Sequence, residues 1–259
     1  MKVSDHSVYL LRVPAEGARA PFEAYRDLAR SVLDALELDL PSAGTVFIKP
    51  NATVLYPADQ RIITHPGFIA GLIEGLGAQG VAPTRITVGD GQSGEHPNRG
   101  HTWRACGYTD AIRDRGASLM TLNDAASTII DVEGGIVFDK YPVYSAIVDS
   151  ALLINAPLAK CHNLGCTTLS VKNLMGVLGR PERHLCAVQA VDEPIGQEAL
   201  WRLGESGFSV FEERFYHKLN DLLVAVRSLP MPRLTVVDGL IGRDGTASTK
   251  DRTIHWAGA

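Results

Sequence analysis

Short β-branched runs alternate with helical stretches along most of this chain, and that alternation limits the fold more than any other feature. Strand candidates are Ser7 to Val13, Thr45 to Ile48, Arg85 to Gly89, Ser118 to Thr121, Ala151 to Ala156 and Leu234 to Asp238. Helix candidates are Phe22 to Leu38, Pro66 to Gln79, Thr102 to Arg115, Thr167 to Met175 and Phe211 to Leu229, each lying where a crossover between parallel strands belongs. The expected fold is α/β: a mostly parallel sheet flanked by helices on both faces, Rossmann-like but without the dinucleotide fingerprint. Thr128 to Val132 and Ile136 to Tyr144, separated by Glu133-Gly134-Gly135, read instead as a small β excursion. The 259 residues show no internal repeat or low-complexity linker, so one α/β domain over 1–259 is expected.

Composition narrows the functional classes. A net charge of -4 gives no reason to expect nucleic acid, and no apolar run is long enough to span a membrane. The start, MKVSDHSVYLLRVP, lacks the apolar core and cleavage site of a signal peptide, which makes a cytoplasmic location the expectation. Cys106, Cys161, Cys166 and Cys186 contain no C-x-x-C pair, so neither a zinc ribbon nor a ferredoxin-type cluster is encoded. Cys161 and Cys166 have a spacing that can supply two metal ligands, but small thiols are also ordinary core residues. The histidines show no metal-binding spacing either. No metal and no cofactor are therefore expected.

The segment Pro157 to Gly176, PLAKCHNLGCTTLSVKNLMG, concentrates the chemistry. It follows the buried-strand pattern ALLINA, so Lys160 and His162 are expected on the loop leaving that strand, with Thr168 and Lys172 four apart on one face of the next helix. In open α/β sheets ligands bind at that strand-to-helix edge. From Pro157 to His184, Lys160, Lys172, Arg180 and Arg183 face only Glu182, a basic island in an acidic chain. Such a cluster reads as a pocket for an anionic group. Asn173 beside Lys172 is a poor mid-helix residue, which points to a specific side-chain partner.

Other presumed strands also end in chemically capable residues. Thr45 to Ile48 runs into Lys49-Pro50-Asn51. Arg85 to Gly89 runs into Asp90-Gly91-Gln92-Ser93-Gly94, where glycine lets the backbone approach an oxyanion and Gly91 and Ser93 become candidate contacts. That loop has neither a P-loop ending nor GxGxxG spacing, and a glycine-rich turn is also plain structural punctuation. His65-Pro66 is a helix-start signature, and Asp238 either joins the same rim or caps a turn. The expected arrangement is one cleft lined by Lys49, Lys160, His162 and Lys172, with the Gly89 to Gly94 loop on its rim.

Lys49-Pro50-Asn51, His65-Pro66, Gly89-Asp90, the run Ala156 to His162, Thr167 through Lys172-Asn173-Leu174-Met175-Gly176, His184 and Leu234 to Gly245 together resemble the family catalogued as domain of unknown function 362. Some members of that family carry ferredoxin-like modules, whose cysteine spacing this chain does not share. A lone domain of this kind is also similar to the azinomycin-type aziridine synthases. That resemblance implies specialised metabolism, attack of an amine on a carbon bearing a sulfate leaving group, and a substrate held on an acidic amino-group carrier protein.

The functional expectation is a cofactor-independent enzyme that binds an anionic small molecule and promotes departure of sulfate or phosphate. Lys160, His162, Lys172, Asp90 and His184 are the catalytic candidates, with His162, His184 or Asp90 as the base. Lys49, Asn51, Gly91, Ser93, Thr168, Asn173 and Arg180 are the substrate-binding candidates. The competing expectation is an iron-sulfur or metal-associated accessory protein, built on Cys161 and Cys166 around His162.

Overall fold

The computed structural model describes residues 7–11, 21–52, 57–91, 103–162, 164–179, 185, 207–243 and 253–254. In chain order the strands are β1 (Val46–Pro50), β2 (Ile86–Asp90), β3 (Ser118–Thr121), β4 (Ser127–Asp131), β5 (Lys140–Tyr144), β6 (Leu152–Ala156), β7 (Leu158–His162), β8 (Cys166–Thr168), β9 (Arg233–Thr235), β10 (Asp238–Arg243) and β11 (Thr253–Ile254). The helices are α1 (Phe22–Asp34), α2 (Pro66–Ala78), α3 (Tyr108–Arg113), α4 (Ser145–Val148), α5 (Ser170–Asn173) and α6 (Val210–Ser228).

Five strands form a wholly parallel sheet in the order β3-β2-β1-β6-β9. Alternation along its central strands divides the core. Val46, Ile48, Leu152 and Ile154 face a cluster built with α1, α2 and α3, while Phe47 and Leu153 face Phe215, Leu222 and Val226 of α6 and Tyr141, Val143 and Tyr144 of β5. Strands buried on both faces are the signature of a parallel sheet covered by helices on either side, so the α/β expectation holds. The β excursion is the antiparallel hairpin β4-β5. Asp221 on α6 fastens its turn by accepting the amides of Ile136, Val137 and Phe138 at 2.9, 2.7 and 3.1 Å.

A second, four-stranded sheet has the order β11-β10-β7-β8. Its central pair continues the first sheet. β6 and β9 are parallel neighbours, and beyond Pro157 and the Val236-Val237 step the same two chain segments pair again as β7 and β10. The amides of Val236 and Asp238 donate to the carbonyls of Asn155 and Pro157, both at 2.9 Å, so pairing is carried through the bend.

Four local expectations are corrected. Ser7 to Leu11 forms no strand and Val8 and Leu10 lie exposed, so no core face holds the segment extended, while Arg12 and Val13 lie outside the described residues. Within Thr102 to Arg115 only Tyr108–Arg113 is helical, since Gly107 sits at φ 81 and starts the helix late. Leu234 to Asp238 is split between β9 and β10. Thr167 and Thr168 belong to β8 and not to a helix, and Lys160 and His162 lie on β7 rather than on a loop. Thr168 therefore opposes Lys160 across a hairpin instead of sharing a helical face with Lys172.

α1 and α2 pack closely through small residues. Tyr25, Ala29 and Leu33 repeat every fourth position on α1, and Gly67, Gly71 and Gly75 do the same on α2. A methyl group on Gly71 would overlap the Arg26 carbonyl, whereas one on Gly77 would meet open space. Gly71→Ala is expected to cost about 1–3 kcal/mol through overpacking, while Gly77→Ala is expected to be neutral or stabilising by up to about 1 kcal/mol. Urea unfolding of the two variants checks this, and equal effects would contradict the packing.

Candidate functional site

The strand order reverses between β1 and β6, since β1 is followed through α2 by β2 on one side while β6 lies on the other. This is the topological switch point at which open α/β sheets bind ligands. Lys49 is the penultimate residue of β1, Asp90 closes β2 and Asn155 lies near the end of β6, so three polar side chains meet at this carboxyl edge.

Lys49 and Asp90 form an ion pair at 2.7 Å and both are fully buried. Burial pushes the Lys49 ammonium down and the Asp90 carboxyl up, and each opposes the other's shift. The second Asp90 oxygen accepts the Ala52 amide at 2.7 Å, and Lys49 also donates to the Pro50 carbonyl at 3.0 Å. Gly176 packs directly on the pair. Any side chain there would collide with Asp90 Oδ1 and Lys49 Nζ, which explains why the Lys-Asn-Leu-Met stretch ends in glycine. The Gly91 amide donates to the Gly176 carbonyl at 3.2 Å and ties the two loops together.

Around this pair the exits of β1 and β6 are stitched by side chains. Thr64 Oγ1 accepts the Asn51 amide at 2.9 Å and donates to the Ala156 carbonyl at 2.7 Å, while Tyr108 donates its hydroxyl to the Thr64 carbonyl at 2.6 Å. Asn173 has the specific partner that its position implied. Its amide nitrogen donates to Asn155 Oδ1 at 2.7 Å and reaches the Lys49 and Pro50 carbonyls at 3.4 Å, and Asn155 in turn donates to the Ser170 carbonyl at 2.9 Å.

Above this brace, Lys160 is only 9% exposed and donates to Asn51 Oδ1 at 3.1 Å and to the Ile62 carbonyl at 2.6 Å. Both partners are neutral, and among the described residues no carboxylate pairs with Lys160. Burial, followed by the charges of Lys172 and Arg243, lowers its ammonium pKa to about 7, against a smaller opposing effect of Asp90. β10 brings Arg243 into register opposite Lys160. The Lys172 ammonium lies 6.0 Å above the Phe215 ring and 3.9 Å from Met175 Sδ, half-buried at the edge of α6.

His162 is half-buried beside these cations, and burial, Lys172 and Lys160 lower its pKa to about 4. Its Nδ1 accepts the amides of Leu164 and Gly165, both at 3.1 Å. The neutral ring therefore carries its proton on Nε2, which leaves it a donor with its acceptor nitrogen already engaged. Thr168 is buried, and its hydroxyl finds no hydrogen-bond partner among the described residues.

Lys160, His162, Lys172 and Arg243 thus share one locus, with Asn51 and Thr168 bordering Lys160. Lys49 differs from its expected place. It is sealed beneath the locus in the ion pair and does not line a cleft, and Asp90 is engaged with it in place of standing free as a base. Asn173 is spent on bracing the strands. Ser93, Arg180 and His184 lie outside the described residues. Thr64, Asn155 and Arg243 were missed: they arrive from separate segments through long-range pairing, and no local spacing announces them.

The expected competing centre on Cys161 and Cys166 meets a register constraint. On the β7-β8 hairpin Cys161 opposes Thr167 while His162 opposes Cys166, so the two thiols belong to opposite faces. Among the described residues no group of three His, Cys, Asp or Glu side chains is placed to hold a metal ion.

Fold and site together define an α/β protein with a sheltered basic locus at its sheet switch point. The chain belongs to the family described as Domain of unknown function (DUF362), whose model matches residues 46–258. No curated protein matches the chain. A crystal structure of a Thermotoga maritima protein from a structural genomics consortium is similar at 14% identity and a TM-score of 0.49, over 86% of this chain and 53% of that one. The chain thus spans about half the length of that protein. Among the described residues no helix is long and apolar enough to cross a membrane.

Removing one partner of a buried ion pair leaves an uncompensated charge, so Lys49→Met or Asp90→Asn is expected to cost roughly 3–5 kcal/mol. The double variant Lys49→Met/Asp90→Asn is expected to lose much less than the sum of the two. A double-mutant cycle by denaturant unfolding checks this, and additive losses would show that the pair is not coupled.

Proposed function

We propose that this protein is a cofactor-independent enzyme that binds an anionic small molecule and drives intramolecular displacement of a sulfate or phosphate group. The observation that carries the reading is the gathering of Lys160, Lys172 and Arg243 at one sheltered locus, with Lys160 held by neutral acceptors. Fixed cations of that kind favour a bound anion, and favour still more the charge that collects on departing oxygens.

The reaction is a single displacement. A neutral substrate amine attacks the carbon that bears the sulfate ester, the carbon-nitrogen bond forms, and the carbon-oxygen bond breaks with its electron pair leaving on sulfate. The new ring nitrogen then gives its extra proton to a base. Where the amine sits on the neighbouring carbon, the product is an aziridine, the outcome that the resemblance to aziridine synthases suggests. His162 is poorly suited as the base because its acceptor nitrogen is engaged, and Asp90 is committed to Lys49. Lys160 fits better: its pKa of about 7 leaves a substantial share as free amine at neutral pH, and in that share Lys172 and Arg243 alone supply the charge that holds the anion. Lys172 and Arg243 then hold the leaving group, with His162 Nε2 as a further donor. The setting would be specialised metabolism in the cytoplasm, with the substrate delivered on an acidic carrier protein.

Two measurements check this reading. Release of sulfate from 2-aminoethyl hydrogen sulfate is expected to fall by about 100-fold in Lys172→Met, the scale of losing one transition-state donor; unchanged release would remove Lys172 from the mechanism. Inorganic sulfate, titrated calorimetrically, is expected to bind more weakly as pH rises through about 7, because Lys160 loses its charge in that window. Lys160→Met should flatten most of that dependence, and an identical slope in wild type and variant would contradict the assignment.

A further inference from the structure

Arg61 lies on the loop between β1 and α2, at the same carboxyl edge of the sheet as Lys160. Its environment is unusual on three independent counts. It is only 9% exposed, although arginine is seldom buried without a charged partner. Its backbone is left-handed at φ 57, a conformation that is uncommon for a residue other than glycine and that concentrates at functional positions. The guanidinium lies 5.6 Å over the Tyr25 ring, and its one protein hydrogen bond among the described residues is a long one, 3.4 Å to the Ala58 carbonyl.

Among the described residues no carboxylate forms an ion pair with this charge. Asp238 feels Arg61, yet the two make no ion pair, and the fully buried carboxyl instead accepts the His65 amide at 2.9 Å. His65 stacks on Tyr25 with ring centroids 3.8 Å apart and accepts the Gly67 amide on Nδ1 at 3.1 Å. Tyr25, His65 and Asp238 therefore form a wall beside Arg61, and most of its planar fork of donors has no acceptor among the described residues.

Arg61 is also joined to the basic locus. Lys160 donates to the carbonyl of Ile62, the next residue. On β7, Leu158 in register with Asp238 lies two residues before Lys160 in register with Arg243, and the pairing is irregular between Asp238 and Arg243. Arg61, whose charge acts on Asp238, and the Lys160-Arg243 pair thus follow one another along the same strand pair.

We propose that Arg61 binds a carboxylate on the substrate, so that the enzyme takes small molecules carrying a carboxylate close to the sulfate or phosphate that leaves. This rests on the anion-site reading above and adds the substrate class. A guanidinium matches a carboxylate through two parallel hydrogen bonds, and its preset orientation over Tyr25 limits the entropy lost on binding. The carboxylate anchors one end of the molecule while Lys172 and Arg243 hold the leaving oxygens, which fixes the reacting carbon between them.

The test compares phosphoglycolate, which carries a phosphate and a carboxylate, with ethyl phosphate, which lacks the carboxylate. Calorimetric titration of the full chain is expected to show phosphoglycolate binding about tenfold or more tighter, the scale of one charge-assisted pair. Arg61→Asn, chosen because asparagine tolerates the left-handed backbone, is expected to erase that preference while leaving ethyl phosphate affinity within about twofold. Arg61→Lys, which keeps charge but not the fork, should restore it only in part. A preference absent from the wild type, retained in Arg61→Asn, or lost because both ligands weaken equally would overturn the proposal. Ethyl phosphate binding by the unaltered protein reports on the underlying anion site by itself, so failure there is distinguishable from failure of the Arg61 assignment. If Arg61→Asn does not fold, a crystal of the unaltered protein soaked in phosphoglycolate decides the matter. A carboxylate on the Arg61 guanidinium supports the proposal, and a carboxylate directed elsewhere overturns it.

Discussion

The buried contact between Lys49 and Asp90 is the interaction on which the rest of the site depends. It joins the carboxyl ends of two neighbouring parallel strands at the place where ladder hydrogen bonding stops, with both side chains fully buried. Gly176 then lays the turn after Lys172 directly on the pair, so the geometry of a cationic side chain some distance along the chain is fixed by an ion pair in the sheet. A buried pair of this type is weak evidence for net stability, because desolvation offsets most of the attraction. Its evident consequence is positional: Ala52, Gly91 and the segment from Lys172 to Gly176 are held against the pair and one another.

Above that foundation the protein bends a strand pair instead of ending it. At Pro157 the chain leaves the first sheet and begins β7 one residue later, and at Val236-Val237 its neighbour does the same. The result is to carry Lys160 and Arg243 past the sheet edge on rigid extended backbone. A lysine on a loop can swing its ammonium toward water. One on this strand is held against the Asn51 side chain and the Ile62 carbonyl, where burial and neighbouring cations keep its proton affinity low.

Much of the scaffold was legible in the sequence. Burial on both faces leaves a simple pattern in β1, β2 and β6, and Pro66 marks the start of α2. The Pro157 to Gly176 segment stood out as the basic cluster because charge, hydroxyl and glycine are concentrated there, and the structure does bring Lys160, His162 and Lys172 together. What local reading misassigned was the backbone that bears them. A proline after ALLINA looks like a terminator, whereas here it marks a change of sheet, and Thr167-Thr168 satisfies a helical pattern only until β7 offers it a partner strand. Lys49 and Asp90 were found as polar strand ends, but their pairing is a tertiary fact that makes them foundation and not lining. Arg61 carries no local signal at all, since its significance comes from a left-handed backbone and a tyrosine supplied by α1.

The central claim is that the locus of Lys160, Lys172 and Arg243 is built for an anion. A crystal structure of the protein soaked in sulfate tests it most directly. The account predicts one well-ordered sulfate within hydrogen-bonding distance of at least two of those three side chains, with Lys49 still buried against Asp90 beneath it. Sulfate found only on outer surface lysines, with the three cations each turned to separate solvent, would contradict it.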